Sequence, residues 1–435
     1  MPIVAPPPSA VRYASYSPPP AAALRATPPK AAAASSAAAT AVPHSVAADP
    51  APTPAAVRAV HNYGDTLIGN PFGLRGFMAD RGICFGGYLL NDTSTNLFGG
   101  KSTRRTINRS LVDLQMTLHT RRLFNWTGGK FVASMRLHFG PNGNNQQLGS
   151  IQGYSLIDYS PPATQLYELY YQQKLFDGHW TLRAGTMDAN NIFDIPADAA
   201  IFVNPSAEDA PLYQQPAPPI TAPGVVGVFN ISPHTTLLAG AFYYDRFHPT
   251  VIDSMFTALE PINQPVGAFL TAEVDQTYQL SPRQPATIGI GGFLRTGQLP
   301  ALAGGMQTDA GGGYMFIDQT LWQSHDTVHR LGSFFNVTGN DPRVSEIDAS
   351  IQAGLVASGL VPCRDHDQMG VGVDWAHLSS LANTPKPYEL VVEGFYAFSL
   401  GRGIVVQPDL QYFANTGGGV YPDSLIAMLR LNVNF

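Results

Sequence analysis

The chain has 435 residues, a formal net charge of −6 at pH 7 and only 13% charged side chains, against about 25% in an ordinary soluble domain. With 31 acidic against 25 basic residues, no cationic excess exists to displace counterions from a phosphate backbone, which excludes a nucleic-acid binder. Hydrophobic residues reach 44%, yet no 18 consecutive residues are apolar, so a helical membrane span is excluded as well.

In chain order the first element is a tail. Residues 1–60 hold 21 alanines and 13 prolines with no periodic apolar face, too little to offset chain entropy, and are expected to be disordered. Within them Arg25 and Lys30, the Ala-rich run 31–42 and Val46-Ala47-Ala48 before Asp49 form a secretion-like pattern. A plain low-complexity linker accounts for the same residues equally well. Residues 61–435 are expected to form one domain. It opens on a short segment with Leu74, Arg75, Phe77, Met78 and Arg81, a candidate periplasmic helix that plugs or braces the lower end of the domain.

From residue 66 onward the dominant period is two. Val112, Leu114, Met116 and Leu118 alternate with Asp113, Gln115, Thr117 and His119; Phe131, Ala133, Met135, Leu137 and Phe139 alternate with Lys130, Val132, Ser134, Arg136 and His138. One face is apolar and the other polar. The same reading predicts sixteen strands, at 81–92, 109–120, 130–139, 165–175, 179–186, 225–231, 235–244, 267–279, 286–295, 313–321, 329–337, 346–357, 368–378, 388–399, 403–412 and 423–435. Most are near the 9–11 residues that a tilted strand needs to cross a bilayer. Connections alternate between long (93–108, 140–164, 187–224, 245–266, 296–312) and shorter, a contrast that fades after residue 338. Long outer loops, short periplasmic turns and an even strand number describe an outer-membrane barrel.

The expected fold is therefore all-β, a transmembrane antiparallel barrel of about sixteen strands. A soluble sandwich also alternates, but it does not supply this many strands with this loop pattern. In hydrocarbon every backbone group must be paired internally, so only a closed sheet can span. Half of each strand is then apolar for lipid and half polar for water, which accounts for a mean hydropathy of −0.02. The last residues, Leu431 to Phe435, alternate and end on an aromatic, the kind of terminus that barrels present to their assembly machinery. Cys84 and Cys363 are the only cysteines; both are expected to be free and neither catalytic. The triple glycines at 311–313 and 417–419 read as loop material.

Four segments resemble the carbohydrate-selective porin family of Gram-negative outer membranes. Gly69 to Phe85 is similar to the family's Gly-x-Trp-x-Gly-x-Arg helix and following strand, with Phe72 in place of the usual Trp. Tyr167 to Phe193 resembles the strand, turn and strand leading into the loop that narrows the pore. Gly354 to Ser379 resembles a Gly-x-Pro-x-Arg-x-x-Asp turn, matching at Arg364 and Asp367, and Tyr388 to Gly418 resembles the final hairpin with Pro408, Asp409 and Gln411. The resemblance implies facilitated diffusion of sugars across the outer membrane, without a cofactor and without chemistry, by a monomer or homotrimer.

The longest connection, 187–224, is the candidate constriction, by analogy with porins that fold a loop inward. Its charges are acidic: Asp188, Asp194, Asp198, Glu208 and Asp209. Facing it, strand phase offers Arg136, Glu168, Arg183, Lys130 and His138, with Arg430 from across the barrel. An acidic loop opposite a basic wall orients polar solutes, and sugar hydroxyls both donate to carboxylates and accept from guanidinium groups. Tyr170, Phe193 and Phe202 offer apolar faces to a sugar ring, and Asp409 and Gln411 share the lumen phase. For each charged residue, simple pairing within the wall is the competing role; for Arg364 and Asp367, pairing in a periplasmic turn is preferred. His119 and His138 are a possible facing pair. No Gly-x-Ser-x-Gly, His-Glu-x-x-His or Gly-x-x-x-x-Gly-Lys pattern occurs, which leaves a barrel enzyme without a constellation. A general diffusion pore and an accessory barrel for polysaccharide export are the remaining alternatives.

Overall fold

The structure is a computed structural model and describes residues 66–158, 163–208, 211–212, 215–217, 221–243, 267–325 and 327–435. The tail 1–60, the side chain of Glu208, Asp209 and the connection 245–266 lie outside the described residues.

Sixteen strands close on themselves: β1 (Ile83–Phe98), β2 (Thr106–His119), β3 (Gly129–Phe139), β4 (Ala163–Leu175), β5 (Trp180–Met187), β6 (Ala222–Ser232), β7 (Thr235–Tyr243), β8 (Ala268–Gln279), β9 (Pro285–Pro300), β10 (Met306–Gln323), β11 (Arg330–Asn340), β12 (Ile347–Ser358), β13 (Gln368–Leu378), β14 (Tyr388–Gly401), β15 (Ile404–Ala414) and β16 (Ser424–Asn434). Each pairs antiparallel with its chain neighbours, and β1 pairs with β16 to seal the cylinder. No edge is left to aggregate. Short helical segments accompany them, among them α1 (Leu74–Asp80), α2 (Thr120–Phe124) and α3 (Pro205–Glu208).

Strand phase follows the alternation. On β3, Val132, Ser134, Arg136 and His138 are buried toward the lumen while Phe131 and Phe139 are exposed on the outside. Outward aromatics gather near the strand ends, as the two girdles of a membrane barrel do. At the end where β1 starts and β16 finishes, Trp126, Phe131 and Tyr171 meet, as do Phe176, Trp180 and Phe229; at the other, Phe98 meets Tyr412. Short turns lie on the end where β1 starts, which makes it periplasmic. There Cys84 is buried and Cys363 exposed, and neither is in a disulfide.

Two expected outer loops shrink. β1 runs to Phe98 and β2 starts at Thr106, and β9 runs to Pro300 with β10 starting at Met306. In the first hairpin both faces are polar, which hides the alternation. Asn91 donates to Asn108 and Ser110, Asn108 donates to Thr93, and Thr95 meets Thr106, all side chain to side chain. The glycines 311–313 are strand rather than loop: Gly312 lies under the Phe293 ring, where a Cβ would come within 2.5 Å. α1 braces rather than plugs. It has no buried residue, and Arg75 donates to the Phe85 carbonyl at 2.8 Å, where β1 extends below the end of β16.

Candidate functional site: a lumen narrowed by two inward loops

Sixteen strands enclose more space than their side chains fill, and two outer connections fold into it. The longer one, 188–221, follows β5. Its backbone is held by wall carboxylates that accept its N–H groups. Glu273 on β8 takes Asp194 N at 2.6 Å, Asp318 on β10 takes Asp198 N at 2.6 Å, and Glu393 on β14 takes Val203 N and Asn204 N at 2.6 and 2.9 Å. An ionised carboxylate in such a place makes the charge-assisted, stronger kind of bond. Arg330 on β11 chelates the Asp198 carboxylate, and Asn336 donates to Asp194 at 2.8 Å. Apolar anchors complete the seat. Phe202 packs edge-on against Phe334 and Phe395, at 5.4 and 5.0 Å between centroids. Its ring covers Gly372, where a Cβ would stand 2.7 Å away.

The second inward loop, 140–158, follows β3 and was visible in the sequence only as a long connection. Glu389 on β14 accepts from Ser150 Oγ, Ile151 N and Gln152 N, at 2.7, 3.2 and 2.9 Å. Asp158 closes the loop on itself through Gly143 N and Asn144 N, and pairs with Arg109 of β2. The two loops touch: Leu156 N donates to the Val203 carbonyl, and Asn204 Nδ2 to the Gly153 carbonyl. A signal for this loop does exist in the sequence. Leu148, Tyr154, Leu156 and Ile157 are apolar residues in a connection, and all four are buried against the wall.

The expected pore residues fall into three groups. Arg136, Glu168 and Asp188 converge on Tyr167, which sequence phase did not single out. Arg136 lies 3.4 Å above the Tyr167 ring, Tyr167 Oη donates to Asp188, and Glu168 accepts Asp188 N at 3.1 Å. A β-bulge explains the omission: Ser134 pairs with Glu168 but Met135 with Leu166, so Tyr167 is an extra residue that turns inward. Arg136 itself is committed to Asp113 at 2.7 Å. In the second group Tyr170 and Phe193 share one buried apolar cluster with Ile192, Met187 and Phe242. Half-exposed Arg183 stands beside it, donating to Gln172 at 3.1 Å with its guanidinium 5.9 Å from the Tyr170 ring.

The third group is on the far wall. Gln411 donates to Asp409 at 2.9 Å and to the Tyr154 carbonyl at 3.1 Å, and accepts from Asn204 at 3.1 Å, bridging both loops. Arg430 is paired with Asp92 at 2.7 Å across the seam. Asp194, at about 7, is pushed up mainly by burial within the loop, opposed by the Asn336 bond.

Three expectations are corrected. The acidic loop does not face a basic wall: most of its anchors are carboxylates, because the exposed groups of a seated loop are backbone donors. Phe202 and Phe193 are 0% and 1% exposed, so these rings hold the loop and present no face to a solute. His119 and His138 sit at opposite ends of their hairpin, paired with Lys130 and Leu111. In the turn 359–367, Arg364 and Asp367 do pair, at 2.6 Å. Among the described residues no group of three or more His, Cys, Asp or Glu is arranged to hold a metal ion.

Residues 104–435 match the carbohydrate-selective porin family, OprB. The barrel superposes on the high-pH structure of Pseudomonas putida OprB with a TM-score of 0.78 at 19% identity, covering 86% of this chain and 99% of that one. The low-pH structure of the same protein gives 0.58 at 17% identity, covering 85% and 98%. No curated protein sequence matches the chain.

Proposed function

The chain belongs to the carbohydrate-selective porin family, an integral β-barrel of the outer membrane that passes sugars, and from that premise we propose how its lumen selects them. The loop 188–221, with 140–158 beside it, forms the constriction. Wall carboxylates Glu273, Asp318, Glu389 and Glu393 fix its shape. Arg136, Glu168 and Asp188 set the root of the long loop, Asp194, Asp409 and Gln411 hold its span, and Arg430 closes the wall behind them through Asp92. Arg183 with Gln172, beside Tyr170, is the group offered to the solute, because it is half-exposed and, among the described residues, its charge is not spent on a carboxylate. The observation that carries this reading is the set of loop N–H groups seated on carboxylates of the opposite wall. The permeating sugar is carried passively, and the barrel performs no chemistry on it.

Phe435, whose N–H donates to the Gly87 carbonyl and whose ring lies over that glycine, is the proposed contact for the assembly machinery. A monomer suffices for the pathway, since each barrel supplies its whole constriction.

Liposome swelling with a panel of mono- and oligosaccharides tests pore, size limit and preference together. Sugars up to a sharp size limit are expected to enter faster than uncharged polyols of equal size; equal rates would reduce the protein to a general diffusion pore. Deleting about ten residues around 195–210 is expected to raise single-channel conductance in planar bilayers and weaken sugar discrimination. Unchanged conductance would remove this loop from the constriction.

A further inference from the structure

A second surface, on the periplasmic end and remote from the lumen, has features that sugar passage does not require. α1 and α2 are distant in sequence and joined in space. Arg122 donates to the Asp80 carbonyl at 2.7 Å, and its guanidinium lies 3.8 Å from the Asp80 carboxylate. Around this junction Phe72, Leu74 and Phe77 are exposed, with Phe124 and Trp126 exposed on the neighbouring turn. Contiguous apolar exposure of this kind marks an interaction surface. Arg81, Arg121 and Arg122 are exposed among these rings, and the Arg81 guanidinium lies 3.4 Å from the Phe77 centroid. Among the described residues of the two helices and Arg81, three exposed arginines accompany one acid, Asp80.

The patch is continuous with the lipid-facing belt. The Trp126 ring lies 6.0 Å from Tyr171, which lies 4.8 Å from Phe131, and both of these are on the lipid-facing side of the barrel. The rings therefore run from the membrane girdle to Trp126 on the turn after α2, and the Arg122–Asp80 contact joins α2 to α1. We propose that this surface seats anionic phospholipid of the periplasmic leaflet. Aromatic and aliphatic side chains enter the boundary between acyl chains and headgroups, as on basic amphipathic helices that lie in a membrane surface. The arginines take the phosphate, for which their planar forks are suited. A zwitterionic headgroup satisfies the rings equally but leaves the cationic excess unmatched, so the surface discriminates by charge.

Native mass spectrometry of the purified full-length protein, offered phosphatidylglycerol and phosphatidylethanolamine in equal amounts, tests this. Phosphatidylglycerol is expected to be retained preferentially. The combined Arg81→Gln, Arg121→Gln, Arg122→Gln variant is expected to lose that preference at least about fivefold, with heat-modifiable migration and sugar flux unchanged. Equal retention of the two lipids by the unmodified protein, or a preference that survives in the variant, overturns the proposal. If the variant does not fold, the unmodified protein still decides: the preference must shrink as added salt shortens the screening length, and a salt-insensitive preference overturns it.

Discussion

The two halves of the lumen use charge differently. Along β16, β1, β2 and β3, arginines are matched with aspartates, all nearly inaccessible. Arg430 pairs with Asp92 and Arg136 with Asp113, both within the wall, and Arg109 pairs with Asp158 of the shorter loop. Along β8, β10 and β14, Glu273, Asp318, Glu389 and Glu393 hold backbone N–H groups of the inward loops instead. Pairs within the wall neutralise each other and keep their shape whatever the loops do. A wall of carboxylates has its shape completed only when a loop is seated. Stiffness and selectivity are thereby placed on different arcs of one cylinder, and substitutions on the two arcs should fail in different ways.

The largest effect is expected on the paired wall. Arg136→Met leaves Asp113 as an uncompensated buried charge, at a cost of about 3–5 kcal/mol, and should lower the temperature at which the barrel loses its folded migration. The double variant Arg136→Met, Asp113→Leu should recover most of that loss; no recovery would mean that the pair acts through something besides mutual neutralisation. Next comes Glu393→Ala, which strips the acceptor from Val203 N and Asn204 N and costs about 3 kcal/mol in charge-assisted bonds. Here the reading is conductance: current noise and mean conductance should rise while the barrel stays folded. A quiet, normal channel would show that the loop holds without its carboxylates.

The smallest effect is a pH dependence. Asp194, held at about 7 chiefly by burial, is neutral in the seated loop where an ordinary carboxyl is already ionised. The seated state is therefore favoured below about pH 4 and loses stability as pH rises towards 7. Channel noise should grow over that interval and level off above it, and Asp194→Asn should flatten the dependence. A slope of opposite sign, or one that persists in the variant, would place the titrating group elsewhere.

Much of the cylinder was legible in the sequence because lipid imposes one rule on every strand. Wherever hydrocarbon lies outside, as at Leu114, Phe131 or Leu429, alternation is clean and strand positions are nearly correct. Where β1 and β2 project with Asn91, Thr93 and Asn108 outside, water replaces lipid and the pattern disappears. The family's motifs located the turn with Arg364 and Asp367 and the hairpin with Gln411. The partners in the lumen were less legible. Tyr167 turns inward through a bulge that leaves no mark on composition, and the attachment of Glu393 to Val203 joins positions that no periodicity relates. Phase tells that Glu393 points inward, but not that it meets a loop amide rather than a guanidinium.

The seam between β1 and β16 also has a consequence in time. Arg430 and Asp92 meet across 338 positions of sequence, and the ladder that joins them is among the most non-local contacts that this chain can make. Contacts of that separation form late, because the entropy of closing so large a ring must be met first. The Arg430–Asp92 pair is thus a clasp that closes last: until it forms, the cylinder is an open sheet with β1 and β16 as its two unpaired edges.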